Sequence, residues 1–131
     1  MTKAGQEPGN ASIAVLSLAL MVMILIAGLG DLAIFYVARA KAQTAADAAA
    51  LAAASELVPG LGKDPSGQAL QFAAANGAQL LDCRCRFGSR AAEVRVVVEV
   101  HFILARALGV REVGARARAE VDPGGRGRRN T

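Results

Sequence analysis

Between Asn10 and Asp31 run twenty residues, ASIAVLSLALMVMILIAGLG, without one charged side chain. At a helical rise of about 1.5 Å per residue they cover about 30 Å, the thickness of a bilayer's hydrocarbon core. A run of this kind fixes the first thing the chain must do, which is to place an uncharged helix in lipid. It also limits what is left. Of 131 residues, 53% are hydrophobic but only 4% aromatic, none is Trp, and the mean hydropathy is +0.35. Once the run, its polar leader, its alanine-rich continuation and a basic tail are set aside, about 60 residues remain for a globular part, a size at which a core is marginal. Large enzymes, multidomain architectures and deep apolar substrate clefts are thereby excluded.

The organisation reads in five pieces. Residues 1–10 form a polar leader in which Pro8 and Gly9 punctuate the helix entry. A transmembrane helix occupies 11–37. An alanine-rich extension, 38–57, continues it, because Ala at 45, 46, 48, 49, 50, 52, 53 and 54 favours helix without fixing which face is buried. One continuous helix over about Ala11–Leu57 is expected, ended by Pro59 and Gly60. A small α+β domain fills 58–122, and 123–131 is a disordered basic tail.

Within the α+β part, residues 66–75 read as a short helix stopped by Asn76 and Gly77. Three alternating stretches follow. The first sets Leu81, Cys83, Cys85 and Phe87 against Asp82, Arg84 and Arg86. The second sets Val94, Val96, Val98, Val100 and Phe102 against Glu93, Arg95, Glu99 and His101, with Val97 the exception. In the third, Val113, Ala115, Ala117, Ala119 and Val121 alternate with Glu112, Arg116, Arg118 and Glu120. Period-2 alternation predicts a three-stranded antiparallel sheet with one apolar face, and the FGSRAA link suits a hairpin. The short helix or the alanine-rich rod is the natural cover for that face.

The formal charge of +4 is carried late, with twelve basic against seven acidic residues from Gly62 onward. Arg126, Arg128 and Arg129 crowd the tail, where they suit a solvated terminus or an arm for anionic polymers and headgroups. No aromatic platform is interleaved with the arginines, so nucleic acid is not an expected partner. Cys83 and Cys85 lie on one face of a strand with β-carbons about 6–7 Å apart, beyond disulfide reach without local distortion. They are expected as small hydrophobes, with a redox role or an intermolecular bridge as the functional alternative. Two thiols and His101 do not make a structural zinc site, and His101 falls on the polar face. No nucleophile, base and orienter assemble by motif, and there is no phosphate loop. The chain is therefore expected to be no enzyme, with no cofactor and no small-molecule substrate.

Candidate contact residues lie along the helix instead. Asp31 ends the uncharged run: with a span at 11–30 it marks the interface, and with one near Ser17–Val37 it sits inside and requires a partner. Ala27, Gly28 and Gly30 form a small-residue patch just before it, suited to close helix approach and self-association. Asp47 interrupts the alanine run, whose flat surface suits either docking against sister subunits or lying on the chain's own sheet. Ala38-Arg39-Ala40 has the form of a signal-cleavage site, and cleavage near Ala40 would release a small basic binding module; the length of the apolar run and Asp31 argue against it. Lys3 against Arg39 and Lys41 weakly favours a cytoplasmic C-terminus.

The succession GNASIAV, an uncharged helix, VARAKAQTAADAAALAAA, a small β segment and a final ARARAEV resembles the TadE-like proteins of Flp/Tad pilus assembly and secretion clusters, most closely the small actinobacterial subgroup. The most specific piece is AQTAADAAALAAA, Ala42 to Ala54. The resemblance covers about residues 9–121. It implies a pseudopilin-like, single-span membrane component with its C-terminal domain on the extracytoplasmic side and other Tad-type subunits as partners. The acid that many members carry early in the helix has no counterpart, since Gly9, Ala11 and Ile13 lead into Ala14 and Val15.

Overall fold

The computed structural model describes residues 8–122, so the expected leader up to residue 7 and the basic tail 123–131 lie outside the described residues. Helix α1, Pro8–Ser55, is one uninterrupted α-helix of 48 residues, as the absence of internal Pro and the density of Ala and Leu require. At its C-terminal end, backbone N–H groups of Glu56 and Leu57 donate to Ala53 and Ala54 carbonyls. The linker is fastened by the Glu56 carboxylate, which accepts from the N–H groups of Lys63 at 2.7 Å and Asp64 at 3.3 Å. Gly62 is required here: a Cβ on it would overlap the Glu56 backbone.

Helix α2, Pro65–Ala75, starts with Pro at its first turn and an Asp64 N-cap that accepts from the Gly67 N–H, a standard way to satisfy an orphan donor. It stops at Asn76, followed by Gly77 at φ 70°.

Strands β1 (Gln79–Arg84), β2 (Ala91–Glu99) and β3 (Glu112–Glu120) form an antiparallel sheet in the order β1-β2-β3. The expected α+β layout is what the chain adopts. In β2 the inward set is Ala92, Val94, Val96 and Val98, all buried. In β3 it is Val113, Ala115 and Ala119, with Ala117 half-buried. Val97, the exception to the alternation, is also buried, opposite Gly114 in the register.

The phase of β1 differs from the expectation. Its pairing runs Leu80↔Val96 and then Asp82↔Arg95, so Leu81 is an extra residue in a bulge. A bulge shifts every later side chain by one position. Leu80 and Cys83 consequently pack on the core while Leu81 is exposed; Phe87, expected on the same face, lies beyond the end of the strand and is exposed as well. Between β2 and β3 lies a 3₁₀ turn, Ala105–Leu108, which the alternation pattern does not reveal.

The core lies between α1 and the apolar face of the sheet, with α2 alongside. Ala42, Ala45, Ala46, Ala49 and Ala53 have no accessible surface. The alanine-rich surface is thus a lid on the chain's own sheet, not a face left open for sister subunits.

Candidate functional site

Exposure along α1 divides the helix in two. Every residue from Gly9 to Ile26 is exposed, among them Ile13, Leu16, Met23 and Ile24. Ala27 is the first half-buried one, Gly30 and Asp31 follow, and from Ala42 onward one face is sealed. The membrane-compatible part of the helix and its protein-covered part meet at Gly30–Asp31.

At that junction the hairpin between β2 and β3 is clamped to the helix. The Asp31 carboxylate accepts three backbone N–H bonds, from Ile103 to Oδ1 at 2.5 Å and from Leu104 and Ala105 to Oδ2 at 2.7 and 2.8 Å. These donors open the 3₁₀ turn and have no partners within it. Charge assistance makes such bonds stronger than their neutral counterparts. Gly30 leaves room for the same loop: a Cβ on it would sit 3.4 Å from Ile103 Cδ1. Two turns further on, Ala38 packs with Phe102 and Val113 in a second buried cluster, lined by Ile34, Val100 and Ala105. The Arg39 guanidinium donates to the Gly114 carbonyl of β3 at 3.2 Å.

The candidate residues of the small-residue patch therefore have different fates. Gly30 and Asp31 engage the chain's own β2–β3 loop. Gly28 is exposed, with nothing within 4 Å of the position its Cβ would take, and Ala27 is half-buried. Asp47 faces solvent and accepts from Gln43 Nε2 at 2.9 Å, one helical turn back. His101 is exposed.

The cysteines correct the expectation drawn for an unbroken strand. Cys83 and Cys85 are disulfide-bonded to each other, so neither is available for an intermolecular bridge. Strand β1 ends at Arg84, between them, and the distorted chain brings their α-carbons to 5.4 Å, inside the disulfide range. Both are half-buried against the main core.

Two features of this junction escape sequence reasoning. The Asp31 clamp joins residues 72 to 74 positions apart through main-chain donors, which carry no residue-type signature. Arg39 likewise bonds a main-chain carbonyl 75 positions away. The only legible signal was the position of a lone acid at the end of an apolar run.

Residues 9–56 match the model of a family described as putative Flp pilus-assembly TadE/G-like. The match covers α1 and stops before α2 and the sheet. No curated protein and no solved structure matches the chain.

Proposed function

With a TadE/G-like pilus-assembly match over its long helix as the premise, we propose that this chain is a non-enzymatic, single-span membrane component of a Flp/Tad-type pilus or secretion assembly, with a minor-pilin-like role. The observation that carries the reading is the uncovered apolar surface from Ile13 to Ile26 on a helix whose other half is sealed against its own domain. Exposed apolar area costs about 25 cal/mol per Å² in water, and lipid removes that cost. The lipid segment is Ala11–Gly30, because from Gly30 onward the helix is taken up by residues 100–113. Asp31 then lies at the bilayer boundary, held by its own domain rather than by a partner inside the membrane.

In this reading the α+β domain stands at the membrane surface on the extracytoplasmic side, the orientation the family implies. Partners are the membrane and other Tad-type subunits, and Gly28, open on the lipid-facing helix, offers a place for close approach by a second helix. Against release of a secreted module by cleavage near Ala40 weighs what the cut would remove. Asp31, Ile34, Ala38 and Arg39 all contact the sheet or its loop, so the released domain would lose its second core cluster and its clamp.

Carbonate extraction of native membranes, followed by an intact mass measurement, tests the reading. Retention in the pellet with the apolar helix still attached is expected. A soluble chain beginning near Lys41 would overturn it in favour of the secreted module.

A further inference from the structure

The clamped β2–β3 loop carries an apolar surface that the fold does not use. Ile103, Leu104, Leu108 and Val110 are 61%, 40%, 84% and 42% exposed. In a domain whose core is built from Ala and Val, four large aliphatic side chains turned outward within eight residues form a concentrated patch. It is not randomly placed. The Asp31 bonds to Ile103, Leu104 and Ala105, and the fit of Ile103 against Gly30, hold it at the level where the uncharged helix run ends. The segment from Val100 to Arg111, VHFILARALGVR, contains Arg106 and Arg111 and no acidic residue. Both arginines line a shallow depression with Val100 and His101, and with Glu99 and Glu112, the acids that flank the segment.

We propose that this loop is a second membrane contact: a wedge whose Leu108 and Val110 enter the headgroup region of the bilayer beside α1, with Arg106 and Arg111 set against anionic phospholipid headgroups. The proposal rests on the single-span reading above. Its occupant is lipid because the loop is held against α1 at Gly30 and Asp31, directly where the uncovered apolar run ends. Its composition, aliphatic tips flanked by arginines, is that of an interfacial anchor. Long basic side chains can lie along the wedge and reach the phosphates while the aliphatic tips sit below them. Functionally, a helix alone leaves a domain free to rotate and tilt about one point. A helix and a wedge give two attachment points and fix the sheet's orientation to the membrane plane, as lateral assembly of subunits demands.

The chain contains no Trp, so one introduced Trp reports its own surroundings. Leu108→Trp, Leu20→Trp and Leu70→Trp are prepared in the full chain; all three leucines are exposed, so folding is preserved. Each is reconstituted into vesicles of phosphatidylcholine and phosphatidylglycerol, and quenching by brominated acyl chains is compared with quenching by aqueous iodide. The expected result is deep lipid quenching for L20W, quenching by bromines near the headgroup end for L108W, and iodide quenching for L70W on α2. Iodide quenching of L108W with L20W still lipid-quenched overturns the wedge alone. An emission shift of L108W without lipid quenching also overturns it, and assigns the patch to a protein partner instead. Loss of lipid quenching at L20W overturns the single-span reading and the wedge with it. In the Arg106→Gln, Arg111→Gln background, lipid quenching of L108W should weaken in the anionic vesicles and become equal to that in pure phosphatidylcholine; an unchanged value in the two lipids removes the role given to the arginines.

Discussion

The two halves of α1 share one backbone geometry and differ in side-chain size. The half without protein cover carries Leu, Ile, Met and Val, and the buried face of the other half, from Ala38 to Ala54, is built of Ala alone. The more hydrophobic half is therefore the one left outside the core. Apolar side chains of any size are tolerated in lipid, where volume has no fixed complement. Against a sheet, by contrast, the β-branched side chains of Val94, Val96 and Val98 already fill the space, and a helix reaches them only with a methyl surface. Side-chain size separates the uncovered, membrane-compatible region from the core-facing one.

The sharpest way to break that comparison is to make one substitution in both halves. Ala49→Leu puts three extra carbons into a site without accessible surface, and overpacking of this kind costs about 1–3 kcal/mol. Ala19→Leu makes the same change on the exposed stretch, and unfolding midpoints of the domain in detergent should not move. Equal shifts for the two variants would mean that α1 does not seal the sheet as described.

A smaller effect is expected at the junction between the halves. Crowding against the loop pushes the Asp31 carboxyl upward, but the backbone N–H bonds from Ile103, Ala105 and Leu104 outweigh this and leave its pKa below the ordinary carboxylate value. The ionised form is thus the one favoured by folding. The clamp's contribution is complete above the ordinary carboxylate value and is lost as the pH falls through the lowered one. Asp31→Asn keeps one acceptor oxygen and turns an NH₂ group toward backbone donors. Amide exchange at Ile103, Leu104 and Ala105 should quicken in this variant while Val94 and Val96 stay protected, and the acid-dependent step should vanish. Unchanged exchange at the three amides would show that the loop is held by Phe102 and Ile103 packing alone.

These contrasts also explain what could be read from the residues beforehand. β2 and β3 were legible because alternation directly encodes a sheet face. β1 was misphased because a bulge is one extra residue and leaves no mark in a six-residue strand: the same letters QLLDCR serve either phase. Ideal strand spacing keeps the two cysteines apart, and it ceases to apply where β1 ends at Arg84. For the alanine stretch, helix was plain but the covered face was not, since Ala stands on nearly every side of it. Asp31 stood out as the acid at the end of the apolar run, yet its partners are main-chain amides, which every residue but Pro possesses.

The smallest effect concerns the solvent side of the covered half, where Asp47 and Leu51 are exposed one turn apart. If sister subunits dock on α1, this is the surface left to them, since the opposite face is sealed by the sheet. The Gln43–Asp47 bond is an exposed i, i+4 pair, and such pairs contribute about 0.2–0.5 kcal/mol. Asp47→Lys should accordingly leave the unfolding midpoint almost where it was. Its effect on association is a separate quantity, because reversing a charge at a subunit contact places like with unlike neighbours anew. Co-purification of the tagged full chain with an untagged copy in mild detergent measures it, with Gln43→Ala as the control that removes the same bond without reversing charge. Selective loss for Asp47→Lys would make the solvent face of the covered half of α1 a subunit contact. Equal recovery for both variants would confine association to the uncovered apolar half, where Gly28 remains open.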